Sequence, residues 1–410
     1  MMSVHDTRKA ATRVKAGTLL GVLKDLEKIV PARDSIPVLG FVLLSACSGV
    51  ITCTATNLDM WGERDCASDD RDGPGSKEWI ESIRAFTALL PGKVLRKLLA
   101  EFDSEAMITI DAGECNNKPG RATISAGRAR FRLNALDPAD FPRVPMVEPA
   151  YSYDMQCSQL ADALAAVRHA MSSEETRYYL NGVLVHPVNL HLRFAATDGH
   201  RLARRSIDVP DGGASFPQGI VSRRTVELLD QLLTAAAKAD EAALVSVECA
   251  SEERGAIIRW EMPASDGGTV TITAKTVDGD FPDYARVIPA NPPIRAVIAK
   301  AALAEAVKRV SVLASDKSSA MKAEFEAEVL RLSVITPELG EAVEELPCAT
   351  TGGTVSVGLD HRYWRDALGA LACDEVAMLL TDEGAPIRLQ NAAADADAEA
   401  LVQVIMPVRV

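Results

Sequence analysis

The chain has 410 residues, of which 48% are hydrophobic and 25% charged, with a formal net charge of −13. That length holds two to four domains, each able to bury its own core, and the composition is that of an ordinary globular protein. The acidic balance excludes a protein that grips nucleic acid by bulk attraction, but leaves open a local basic surface on an acidic body.

Met1 to Arg13 is charged and lacks the apolar stretch of a signal peptide; residues 1–12 read as a frayed extension. Apolar residues at helical spacing predict a first helix from a Thr18 cap to Val30, stopped by Pro31. Strands follow at Val38–Ala46 and Val50–Thr56, then a polar loop from Ser68 to Lys77. A second helix is expected within Ser82–Phe102, interrupted at Pro91-Gly92, before strands near Met107–Asp111, Ala122–Ala126 and Ala129–Ala135.

The same script then returns. A helix is expected at Ser158–Met171, strands at Gly182–His186 and Leu190–Thr197, a helix at Arg223–Ala237, and strands at Ala243–Cys249, Ala256–Glu261 and Thr269–Thr276. A third pass gives a helix at Ala299–Leu313 and strands at Ala323–Glu328 and Val329–Ile335. After these come a helix at His361–Leu371 and strands at Ala377–Leu380, Pro386–Gln390 and Leu401–Ile405. The Asp-rich Asp395–Glu399 reads as a solvated turn.

Punctuation marks the same period. Asp140-Phe141-Pro142 recurs as Asp280-Phe281-Pro282, and Thr56-Asn57-Leu58-Asp59 has counterparts at Thr197-Asp198-Gly199 and Thr336-Pro337-Glu338. A repeat this long means three copies of a whole domain rather than a solenoid. The expected fold class is α+β: helix pairs beside antiparallel strands, with no alternating βα pattern. Pro-rich stretches place the domains at 1–147, 148–292 and 293–410.

Basic residues recur one turn apart on the predicted helices: Lys24 and Lys28; Lys93, Arg96 and Lys97; Arg223 and Arg224; Lys300, Lys308 and Arg309; Arg362 and Arg365. Loops add Arg33, Arg177, Lys317 and Lys322. On one helix such residues merely solvate; repeated across a symmetric assembly they line a basic channel that meets phosphates without reading bases. The eight cysteines form no CxxC pair and fit a reducing cytosol. Asp198 with His200 could serve acid–base chemistry, as in a hydrolase, but no nucleophile elbow, metal triad or phosphate loop accompanies them. No cofactor, metal or enzymatic activity is expected.

The run from Ala196 to Ala203 is the most specific stretch. With Ile36 to Gly40, Thr56 to Met60, Gly127 to Phe131, Arg177 to Gly182, Val277 to Tyr284 and the tail Met406 to Val410, it resembles the bacterial sliding clamp family, the beta subunits of DNA polymerase III. The resemblance covers the chain from about residue 14 onward. It implies a homodimer, two copies closing head to tail into a ring of six similar domains, with helices lining the hole and sheets forming the rim.

The resemblance further implies a cytoplasmic, non-enzymatic processivity factor that encircles double-stranded DNA. Its partners would be the polymerase III catalytic subunit, the clamp loader and other proteins carrying a short apolar motif of the form Gln-Leu-x-Leu-Phe. The groove for that motif maps onto Leu180, Thr197, Gly199, His200, Arg201 and Leu202 on one wall. Pro282, Arg286 and Val287 form another, and Val404, Met406, Pro407, Val408 and Arg409 the third. DNA-facing candidates are Arg33, Arg177, Tyr178 and Tyr179 with the helix cations; Phe131 and Leu133 with Val312 and Leu313 map to the ring contact. An extra clamp copy with a specialised or inhibitor-tolerant role is the alternative within the family.

Overall fold

The computed structural model describes residues 11–31, 36–47, 49–67, 85–146, 148–211, 213, 216–251, 255–314, 320–393 and 400–409. Arg33, Lys317, the predicted Ser68–Lys77 loop and the Asp395–Glu399 turn lie outside them. The described residues hold six α-helices: α1 Ala16–Asp25, α2 Gly92–Ala100, α3 Cys157–Val167, α4 Arg223–Ala239, α5 Lys300–Val310 and α6 His361–Ala370. The chain divides into two compact units.

The first unit runs to Ser158 and includes Gln231–Lys275. Its larger sheet is antiparallel, in the order Phe86–Pro91, Phe41–Cys47, Val50–Thr56, Met60–Ala67, Thr269–Lys275, Ala256–Pro263, Leu244–Ser251 and Tyr151–Gln156. A single sheet therefore joins strands from two sequence repeats, through Met60–Ala67 against Thr269–Lys275. Side chains alternate between buried and open along Phe41–Cys47, as a sheet with one packed face requires. The smaller sheet runs Ala11–Lys15, Met107–Asp111, Gly120–Ala126 and Ala129–Ala135, leaving the last strand at an edge.

Three expectations are corrected here. Residues 11 and 12 are not frayed: Ala11 and Thr12 are buried in a strand paired with Met107–Asp111. Helix α1 begins at Ala16, so Thr18 is inside it rather than at its cap; Ala16, Leu19, Val22 and Leu23 form its buried stripe. Phe86–Pro91 is not helical: it is a strand paired with Phe41–Cys47, and α2 begins only at Gly92.

Arg64 ties the unit together. Its guanidinium is 1% exposed, 3.0 Å from Asp25 at the end of α1, and also holds Asp266 in the turn after Ala256–Pro263. Burial raises the Asp25 carboxyl above its ordinary pKa despite the Arg64 pairing that opposes the shift.

The second unit comprises Gln159–Asp230 and the chain from Thr276 onward. Its nine-stranded sheet follows the order Gly219–Ser222, Gly182–Val188, His191–Thr197, Arg201–Asp208, Leu401–Ile405, Ile387–Asn391, Glu375–Leu380, Ile294–Ala299 and Ala349–Thr351. A four-stranded sheet, Gly340–Pro347, Val329–Thr336, Ala320–Phe325 and Val355–Asp360, ends in the edge strand Gly340–Pro347. Helices α5 and α6 close its core with Leu303, Ala306, Val307 and Val310 from one and Trp364, Ala367 and Leu368 from the other. Asp360 caps α6 by accepting from the Arg362 amide, and the Lys300 ammonium donates to the carbonyl of Leu371 where α6 ends.

Candidate functional site

The second unit carries a groove beside the Thr197–Arg201 hairpin. The turn is locally determined. Gly199 holds φ at +90°, a backbone region that disfavours side chains. Asp198 accepts hydrogen bonds through Oδ1 from the amides of His200 (2.9 Å) and Arg201 (3.0 Å). Thr197 Oγ1 accepts from the Gly199 amide at 3.1 Å and donates to the Arg201 carbonyl at 2.6 Å. The strand that follows, Arg201–Asp208, pairs with Leu401–Ile405, setting Leu202 opposite Val404.

The groove encloses about 290 Å³, mostly apolar. It brings together Leu180, Thr197, Gly199, Arg201, Leu202, Pro282, Val287, Val404 and Met406. His200, Arg286, Pro407, Val408 and Arg409 do not line it. His200 turns to a neighbouring cleft, Arg286 projects into solvent while pairing with Asp283 at 2.9 Å, and the Val408 amide donates to Gly358. Tyr284 and Asp283, absent from the expected set, do line it. Tyr284 is buried, its hydroxyl 2.9 Å from His186 Nε2, and burial lowers the His186 pKa to about 4.

Arg201 separates this groove from a polar cleft of about 960 Å³. It reaches Asp198 at 3.0 Å and Asp366 on α6 at 2.5 Å, and its guanidinium lies 4.6 Å from the Tyr363 ring centroid. His200 stacks on the same ring, with planes 16° apart. Behind them His169 Nε2–H donates to Gln403 Oε1 at 3.1 Å; Gln403 Nε2 donates to the Ala166 carbonyl, which fixes the amide's orientation. Burial, reinforced by the Arg201 charge, lowers the His169 pKa to about 4. Asp198 is committed to the turn and to Arg201, so it is not held as a general base for His200. Among the described residues no His, Cys, Asp or Glu cluster could hold a metal ion.

The expected DNA-facing cations divide. Lys24, Lys28, Lys97, Arg224, Lys308, Arg362 and Arg365 are exposed, although Arg362 also clasps Asp360 at 2.7 Å. Arg96 pairs with Glu27 at 3.1 Å. Arg223 is partly structural: it donates to the carbonyls of Met171 and Ser172. Arg223, Arg362 and Arg365 all line the polar cleft. Arg177 and Tyr179 instead line the apolar groove, because Glu174 grips Arg177 through two hydrogen bonds; Tyr178 alone of that pair of tyrosines is largely exposed.

The residues expected at the ring contact lie on one sheet edge and in the short 3-10 turn Ser311–Leu313 that follows α5. Phe131, on the edge strand Ala129–Ala135, is 39% exposed and meets Phe102 edge to face; Leu133 on the same strand is half-buried. In the second unit Val312 is 74% exposed, whereas Leu313 packs partly into the core. Ile335, Leu339 and Val343, near the edge strand Gly340–Pro347, are also exposed and were not in the expected set. Their signal was the apolar run before Thr336, whose last residue faces out.

Family models for the DNA polymerase III beta subunit match the chain three times. The N-terminal domain matches at residues 11–145, the central domain at 154–283 and the C-terminal domain at 285–409. The chain is 30% identical over 401 residues to the beta sliding clamp of Caulobacter vibrioides, covering 97% of this chain and 99% of that protein. It is 28% identical over 394 residues to that of Escherichia coli K12, covering 95% and 97%. Among solved structures, the DnaN sliding clamp of Bartonella birtlesii bound to griselimycin aligns with a TM-score of 0.86 at 29% identity, over 98% of this chain and 100% of that one.

Proposed function

We propose that this chain, which belongs to the bacterial DNA polymerase III beta subunit family and is a DNA sliding clamp, works as a cytoplasmic, non-enzymatic ring of two copies joined head to tail around duplex DNA. The repeats divide at 147/148 and 292/293. The ring holds the polymerase on DNA by topology, so an acidic protein needs no bulk affinity for phosphate. Exposed cations on the helices, Lys24, Lys97, Arg224, Lys308 and Arg365 among them, make the diffuse contacts.

Two sheet edges, one from each unit, are the joining surfaces. Ala129–Ala135 carries Arg130 and Arg132, and Gly340–Pro347 carries Glu341, Glu344 and Glu345. Opposite charge on the two edges, moderated by the pairing of Glu344 with Arg309 and of Glu345 with Arg331, favours a heterologous contact that closes over the pairing of like edges. Pairing also covers these two edges.

The groove at Leu202 and Met406 takes the apolar motif of partner proteins: the polymerase catalytic subunit, the clamp loader and others. The observation that carries this is the convergence of three chain segments on one apolar cavity, with a methionine able to adapt to several ligands. Titrating a fluorescent Gln-Leu-Ser-Leu-Phe peptide into the protein tests it. Saturable binding lost on joint substitution of Leu180 and Met406 is expected; absence of binding to the folded dimer would remove the groove from this role.

A further inference from the structure

The groove's hairpin has a twin in the first unit. Thr56 Oγ1 accepts from the Leu58 amide at 3.0 Å and donates to the Met60 carbonyl at 3.0 Å, as Thr197 does with Gly199 and Arg201. Asn57 Oδ1 accepts from the amides of Asp59 and Met60, as Asp198 does from those of His200 and Arg201. The Lys275 amide donates to Asp59 at 2.9 Å, and the Met406 amide donates to His200 at 2.9 Å. Strand registers agree: Trp61 opposes Thr273 as Leu202 opposes Val404.

These equivalences put Trp61 where the groove has Leu202, Lys275 where it has Met406, and Pro142 where it has Pro282. The backbones match and the side chains do not. Leu202 and Met406 leave a cavity open. Trp61 is 4% exposed, and its Nε1–H donates to the carbonyl of Pro142 at 3.3 Å. It thus reaches the counterpart of the far groove wall. The Lys275 ammonium lies 5.5 Å from the indole centroid. Leu58, at the position of Gly199, holds φ at +77° and is partly exposed to solvent.

We infer that the first unit contains a second copy of the partner groove, filled from within by Trp61, and that Trp61 limits each chain to one apolar-peptide site. The indole occupies the space an apolar anchor would take, and its only polar group is satisfied by Pro142, so nothing drives it out. This rests on the reading of the Leu202–Met406 groove as a peptide site.

The test is calorimetric titration of the Gln-Leu-Ser-Leu-Phe peptide into the wild type and into a Trp61→Leu/Lys275→Met variant. One site per chain is expected in the wild type and two in the variant; adding Leu180→Ala with Met406→Ala should remove one site from each. No binding to the wild type would defeat the peptide reading alone. One site in the wild type and still one in a variant that melts cooperatively would overturn the inference. Should the double variant not fold, Trp61→Ala is melted with and without free indole. A rise in midpoint with indole, absent from the wild type, is expected of a preformed pocket, and no rise would overturn the inference.

Discussion

His169 donates a hydrogen bond to Gln403 across a sequence separation of 234 residues, fastening the end of the α3 segment to the strand that floors the groove. Either protonation state of the imidazole can donate this bond, which opposes the shift, but burial prevails and holds the His169 pKa at about 4. An unfolded chain would bind this proton near the ordinary His value of about 6.5. As pH falls from about 6.5 to about 4, the unfolded state therefore takes up more protons and stability declines; above that window the contribution is complete. His186 acts in the same direction. A His169→Gln variant should lose less thermal stability than the wild type between pH 7 and pH 4.5, and parallel melting curves would rule His169 out as a source of acid sensitivity.

Arg64 is the buried charge on which the first unit most depends. Asp25 and Asp266 are 28% and 37% exposed, so solvent offsets part of their loss, but Arg64 itself is sealed. Removing one member of a buried pair costs about 3–5 kcal/mol, and Arg64→Ala should fall at the lower end. Urea unfolding followed by tryptophan fluorescence would measure it; a change within about 0.5 kcal/mol, the range of ordinary surface substitutions, would contradict the assignment.

Placing charge on the apolar residues of the edges should open the ring. Phe131→Asp with Leu133→Asp, or Ile335→Asp with Leu339→Asp, should each halve the mass seen by light scattering. If either pair left a dimer intact, that edge would not be the joining surface.

Met406→Ala should weaken binding of the Gln-Leu-Ser-Leu-Phe peptide by about 1–2 kcal/mol, the range of a pocket anchor below the strongest hot spots. An unaltered titration would take Met406 out of the site.

Replacing Arg224 and Arg365 with Glu should reduce the salt dependence of DNA binding. The log–log slope falls by about 1 for each phosphate that is no longer neutralised. Anisotropy measurements over a range of salt would show it, and an unchanged slope would place both residues away from DNA.

The sequence showed the threefold plan because turns are locally encoded: Gly199 and the side chains of Asp198 and Thr197 specify their hairpin without help from the rest of the chain. It was less informative where tertiary pairing decides. Phe86–Pro91 reads equally well as helix or strand by its apolar run, and only its pairing with Phe41–Cys47 settles the matter. The strand Arg201–Asp208 was obscured by charge, since Arg204 is buried although nothing in its neighbours announces that. Arg177 was expected at the DNA face, and its two bonds to Glu174 beside the groove depend on a neighbour three residues away whose reach the sequence does not display. Trp61 carried no signal by itself; its meaning emerged only when two hairpins could be superposed bond by bond.

The nine-stranded sheet also has a history in time. Arg201–Asp208 pairs on one side with His191–Thr197 but finds its second neighbour only in Leu401–Ile405, near the far end of the sequence. At translation rates of about 5–20 residues per second, roughly 10–40 s pass between the two strands leaving the ribosome. Throughout that interval a nascent chain presents an unpaired β edge and no groove, so it cannot recruit partners before synthesis of its last strand. It is also most exposed to strand-mediated misassembly on crowded polysomes.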